Sequence, residues 1–170
     1  MSEFKKKSII DKFFKLGPLI ILYISVLNEI DLNYLEIFSF NFPYILIFYW
    51  GLRRVETLGY VYIFIAGLIN DVVSGLPIGV TSFNYMLICI FAAYLRTITL
   101  RPNLIKDWFF FLLTILVVNS LSYGFLYLFF SFEFSYNNLF YNIFFTFFLY
   151  IVFAYFFIIY QRRFFKEKDD

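Results

Sequence analysis

The side chain best placed for chemistry is Asp71, in the stretch GLINDVVSGLPIGV between two strongly apolar segments. A carboxylate in such surroundings needs water, hydrogen-bond donors or a proton. Asp71 could therefore face water, accept hydrogen bonds from the following turn or the next helix, or serve transport or catalysis. The sequence leaves these three interpretations open.

Few other side chains could support an enzymatic reaction. The sequence has no histidine, the commonest metal ligand and proton shuttle, and a single cysteine, Cys89. It also has no Gly-x-Ser-x-Gly motif and no phosphate-binding loop. We therefore expect no enzymatic activity, no cofactor and no metal site. The net charge of only +2 gives no reason to expect nucleic acid as a partner.

The composition indicates a membrane protein. Of the 170 residues, 62% are hydrophobic and only 15% are charged, whereas about a quarter of a soluble domain is charged. Six apolar segments approach the length of about 20 residues that a spanning helix needs. They are Phe13–Glu29, Leu35–Gly51, Leu58–Val73, Gly79–Thr97, Asp107–Ser131 and Asn138–Tyr160. We expect an all-α integral membrane protein with six transmembrane helices, forming a single polytopic domain over residues 1–170.

The second segment is the least regular of the six, because Pro43 lies inside it. Proline lacks a main-chain N–H and disrupts a helix interior. The helix therefore starts late or kinks at Pro43, or the segment crosses only half of the membrane.

The positive charges give an independent test of this topology. With six spans and an inner N-terminus, all 14 Lys and Arg residues fall in the four inner regions or at the adjoining helix ends. Because Lys and Arg mark cytoplasmic loops, we expect both termini in the cytoplasm. The pairs Arg53–Arg54 and Arg162–Arg163 are expected to face anionic lipid. The first segment lacks a cleavage site and is expected to be a retained signal-anchor helix.

Small and polar residues share one face of the third segment. Gly67, Asp71 and Gly75 recur every four residues, which places them on one side of a helix. Small residues at this spacing let helices pack closely in lipid. Pro77 and Gly79 then form a turn that ends one helix and returns the chain to the membrane. We expect a rigid hairpin on the outer side.

One further polar residue, Asn119, lies near the middle of the fifth segment. An amide is costly in lipid, so we expect Asn119 to face protein. Asn142 and Thr146 on the sixth segment are candidate partners.

A resemblance to the MreD family of bacterial rod-shape-determining membrane proteins is carried by the stretch Tyr49 to Arg96. The family pattern is Gly-x3-Asp-x3-Gly-x-Pro-x-Gly, followed by a helix that ends in Tyr-Leu. Here the matching residues are Gly67, Asp71, Gly75, Pro77, Gly79 and Tyr94–Leu95. Asn70 departs from the pattern, which has an apolar residue before the aspartate.

The resemblance implies a non-enzymatic component of the elongasome in the bacterial inner membrane, which supports rod shape and side-wall peptidoglycan synthesis. The implied partners are an MreC-like protein, a RodA-type glycosyltransferase, a class B penicillin-binding protein, the actin-like MreB and membrane lipid. It also implies a helical fold similar to the substrate-binding S components of energy-coupling-factor transporters.

Three functional hypotheses follow. In the first, the outer hairpin positions its two helices so that an MreC-like partner docks on exposed small-residue faces. In the second, the chain is the substrate-binding membrane subunit of an energy-coupling-factor-type transporter. In the third, it handles a lipid or a lipid-linked precursor through a groove near Asp71.

Overall fold

The computed structural model describes residues 16–27, 40–99, 103–131 and 136–164. The regular elements within these ranges are all α-helices, which confirms the predicted all-α class for this part of the chain. They are α1 (Gly17–Leu27), α2 (Phe42–Arg53), α3 (Val55–Leu58), α4 (Tyr60–Val73), α5 (Val80–Ile98), α6 (Leu104–Phe130) and α7 (Tyr136–Phe164).

Pro43 acts at the beginning of α2. The helix begins at Phe42 with Pro43 in its first turn and Asn41 at its N-cap. Proline is tolerated there because the first N–H groups of a helix have no intrahelical partner. The structure thus shows a late start in place of a kink, and a crossing of only half of the membrane stays a prediction. Residues 35–39 of the predicted segment lie outside the described residues.

The helix α2 forms the centre of the fold. Every residue from Tyr44 to Leu52 is buried. Among them, Phe48 contacts Phe111 of α6 and Tyr150 of α7, with ring centroids 5.0 and 5.8 Å apart. The burial of nine successive residues shows that other parts of the chain surround α2 on all sides. The aromatic residues around Phe48 therefore serve packing around a buried helix.

Three of the described helices, α5, α6 and α7, are long and apolar enough to cross a membrane. The helices α1 and α4 are also apolar but have only 11 and 14 residues. The lengths and apolar composition of α5, α6 and α7 support a membrane protein. The number of six spans, the cytoplasmic position of both termini and the transporter-like fold stay predictions.

The helices α6 and α7 leave large apolar side chains exposed along much of their length. Examples are Leu113 and Leu128 on α6 and Phe140 and Tyr155 on α7, each at least 60% exposed. Lipid solvates such side chains well, so an exposed apolar face is stable in a bilayer. The same faces are available to transmembrane helices of other proteins.

Candidate functional site

Asp71 lies in the last turn of α4 and is fully buried. Its Oδ2 accepts a hydrogen bond from the main-chain N–H of Gly79 (2.7 Å), and its Oδ1 accepts one from the N–H of Thr81 (2.9 Å). Gly79 is the N-cap of α5, so the carboxylate binds N–H groups that the start of this helix leaves unpaired. Its negative charge also lies at the positive end of the α5 dipole. Of the three interpretations of Asp71, these contacts show hydrogen bonding to the turn and the next helix.

The main chain of Asp71 also takes part in this turn, at the C-terminal end of α4. Its carbonyl accepts a hydrogen bond from the N–H of Leu76 (2.9 Å), and the intervening Gly75 has a φ of 65°. This is the Schellman arrangement, which pairs carbonyls at a helix C-terminus. Gly79 likewise has a positive φ of 103°, which glycine adopts without steric cost. Asp71 thus closes the end of α4 through its main chain and binds the start of α5 through its side chain.

Two further hydrogen bonds join α4 to α5. The Asn70 side chain donates to the Thr81 hydroxyl (3.3 Å), and the Ser82 hydroxyl donates to the main-chain carbonyl of Phe64 (2.9 Å). The Asn70 that departs from the family pattern therefore supplements the contacts of Asp71.

Gly67 marks a close approach of α4 and α5. A Cβ atom built on Gly67 would lie 2.5 Å from the Cα atom of Ser82 and 2.6 Å from its nitrogen. Gly67 is buried against α5 of the same chain. The small residue therefore allows close helix packing within the chain, and docking of a partner on the hairpin stays a prediction.

A polar contact joins α5 to α6, whereas the predicted contact of Asn119 joins α6 to α7. Asn119 is buried on α6 with 7% of its surface exposed. The Asn84 side chain of α5 donates a hydrogen bond to the Ser122 hydroxyl of α6 at 2.9 Å. Of the two candidate partners of Asn119, Thr146 accepts a hydrogen bond from the N–H of Asn41, and pairing of Asn119 with Asn142 stays a prediction. Asn84 gave no separate signal in the sequence, because pairing depends on which helices become neighbours.

An ion pair joins the C-terminal end of α2 to the N-terminal end of α6. Arg53 Nη2 lies 2.7 Å from Asp107 Oδ2, and the two side chains are 18% and 2% exposed. Arg53 is in the last turn of α2 and Asp107 in the first turn of α6, so each charge lies at the favourable end of its helix dipole. Arg53 was expected to face lipid, but it binds a carboxylate instead. In the sequence Asp107 marks only the beginning of the fifth segment, and an acidic residue near the basic residues between segments is the signal for this pair.

No group of three or more His, Cys, Asp and Glu side chains suited to a metal ion occurs among the residues that the structure describes. In the turn between α4 and α5 and in the Arg53–Asp107 pair, polar groups of the chain bind one another.

The family described as rod shape-determining protein MreD matches residues 13–167. The chain belongs to the MreD family. The resemblance seen between Tyr49 and Arg96 is therefore confirmed over nearly the whole chain. Membership supports a role in rod-shape determination, within a family of membrane proteins that is not a known enzyme family. Neither the curated proteins nor the solved structures contain a match.

The close contact at Gly67 predicts that the addition of even one methyl group lowers the stability of the protein. Gly67→Ala would force a Cβ onto the main chain of Ser82, so we expect a loss of about 1–3 kcal/mol in the free energy of unfolding. The matched control is Gly124→Ala on α6, where no atom lies within 4 Å of the added Cβ. Thermal unfolding in detergent would compare the two, and equal midpoints would contradict the close contact.

The two hydrogen bonds of Asp71 predict that an amide cannot replace the carboxylate. In Asp71→Asn the single amide oxygen can accept from Gly79 or Thr81, while the NH2 group faces the other N–H. We expect each lost bond to cost about 1–3 kcal/mol, so Asp71→Ala should be less stable than Asp71→Asn. Glu56→Gln, at an exposed carboxylate, is the control. A fully stable Asp71→Asn protein in chemical denaturation would refute this assignment.

The ion pair predicts strong coupling between Arg53 and Asp107. Removing one partner leaves a buried charge unpaired, which typically costs about 3–5 kcal/mol. In a double-mutant cycle, Arg53→Ala and Asp107→Ala together should cost less than the sum of the two single changes. Arg96→Gln, at an exposed arginine, should change stability by less than about 0.5 kcal/mol. Simple additivity of the two substitutions would show that the pair contributes no coupling.

Proposed function

We propose that this chain is a non-enzymatic component of the elongasome in the bacterial inner membrane. In this role it supports side-wall peptidoglycan synthesis and rod shape by binding an MreC-like protein together with cell-wall synthesis enzymes. The observation that carries the proposal is the family match over residues 13–167. The RodA-type glycosyltransferase, the class B penicillin-binding protein and MreB are the further partners that we propose.

The contacts made by the buried carboxylates support a non-enzymatic role. The carboxylates of Asp71 and Asp107 are both buried, and each binds groups of the same chain. A catalytic acid or base must instead reach a substrate atom with its polar group. Carboxylates that are already paired within the chain are better suited to stabilising the fold than to catalysis.

The exposed faces of α6 and α7 support an interaction role. Their apolar side chains extend along helices of 27 and 29 residues, which are longer than a spanning helix requires. Helices in lipid associate through shape and packing, with little hydrophobic driving force. A partner with one or a few spans could pack on these faces without disturbing the buried α2.

We further propose a multi-pass topology of six spans with both termini in the cytoplasm. The positions of the basic residues support it, because Arg53, Arg96 and Arg162 lie in the last turns of α2, α5 and α7. Lys106 lies in the first turn of α6, whose N-terminal end is joined to the C-terminal end of α2 by the Arg53–Asp107 pair. Positive residues gathered at one end of a helical bundle mark the cytoplasmic side.

Isolation of the protein from its native membrane tests the proposed partners. We expect the tagged protein, extracted in mild detergent, to retain an MreC-like protein and cell-wall synthesis enzymes that mass spectrometry identifies. The same preparation from cells that carry the tag alone is the control. Recovery of an ATPase pair with a coupling membrane subunit would overturn the proposal and favour the transporter-subunit hypothesis.

A further inference from the structure

Two buried polar groups near the Arg53–Asp107 pair have no hydrogen-bond partner among the residues that the structure describes. They are the hydroxyl of Tyr150 on α7 and the Nε atom of Arg53 on α2. Tyr150 is 1% exposed, and Arg53 binds Asp107 through Nη2. A polar group that is buried without a partner lowers stability, and buried polar groups in native proteins bind protein or ordered water. These two groups therefore point to a ligand that the chain itself does not supply.

The Tyr150 hydroxyl lies close to the ion pair. The Tyr150 ring stacks on Phe111 of α6, with ring centroids 4.5 Å apart and an angle of 25° between the planes. Phe111 follows Asp107 by four residues, so the two side chains are neighbours on one face of α6. The charges of Asp107 and Arg53 both act on the Tyr150 hydroxyl. The hydroxyl, the guanidinium and the carboxylate therefore belong to one buried cluster.

The chemistry of this cluster selects a neutral ligand that both accepts and donates hydrogen bonds. Arg53 Nε–H can only donate, the Tyr150 hydroxyl can donate or accept, and the Asp107 carboxylate can only accept. Nε shares an edge of the planar guanidinium with Nη2, so an acceptor for Nε lies beside the carboxylate that Nη2 binds. Arg53 and Asp107 already balance each other's charge, and a further buried ion would have no counter-charge. Water satisfies all three groups, because a buried water typically makes about three hydrogen bonds.

We propose that bound water connects Arg53 Nε, the Tyr150 hydroxyl and the Asp107 carboxylate. The direct ion pair joins α2 to α6. The water extends this connection to Tyr150, so that α2, α6 and α7 meet at one polar site. This inference does not depend on the proposed protein partners.

Removal of the Tyr150 hydroxyl tests the proposal through the direction of the stability change. Tyr150→Phe removes only the hydroxyl, and we expect a lower midpoint of thermal unfolding in detergent, because the bound water loses a partner. Tyr49→Phe is the reference, since the Tyr49 hydroxyl donates directly to Gln161 Oε1 at 3.2 Å. An unchanged or higher midpoint for Tyr150→Phe would overturn the proposal, because the removal of an unpaired hydroxyl relieves the cost of burying it.

Radiolytic labelling of the unsubstituted protein in nanodiscs detects the water itself. A short X-ray pulse converts water, including bound water, to hydroxyl radicals, and mass spectrometry then measures the oxidation of each side chain. We expect Tyr150 to be oxidised faster than Phe157, a 3% exposed residue of the same helix, after correction for the reactivity of each residue type. Equal corrected rates would overturn the proposal even where Tyr150→Phe is less stable, because the hydroxyl would then bind a group of the protein.

Discussion

The main-chain N–H groups at the start of α5 have no partner within that helix, and the chain itself supplies their acceptor. Asp71 does so with both carboxylate oxygens, and its carbonyl pairs the end of α4 at the same time. A carboxylate is unfavourable at the C-terminus of its own helix and favourable at the N-terminus of the next. The hairpin resolves this conflict by bringing the start of α5 onto Asp71. The close approach of Gly67 to Ser82 goes together with that arrangement, because both contacts join α4 to α5.

The C-terminal end of α2 and the N-terminal end of α6 use the same principle with two charges. Arg53 and Asp107 occupy the helix ends where the helix dipoles favour them, and they lie 2.7 Å apart. The aromatic residues around Phe48 pack α2 against α6 and α7. The interior polar groups thus join specific pairs of helices.

Membrane helices differ from soluble ones in what their exposed surfaces imply. The apolar faces of α6 and α7 would promote aggregation in water, but lipid is as apolar as these side chains. Exposure alone therefore does not identify a partner. The functional conclusion rests on family membership.

The sequence by itself determined the helical membrane class, the hairpin between Leu58 and Thr97 and the family. Apolar length, turn residues and motif spacing are local properties, and they are readable without neighbours. Only the tertiary structure decided that Asp71 binds Gly79 and Thr81, that Arg53 binds Asp107, and that α2 is central. The reason is that hydropathy shows that a helix face is apolar. It does not show which protein or lipid surface covers that face. A helix that packs on protein and one that packs on lipid carry nearly the same pattern.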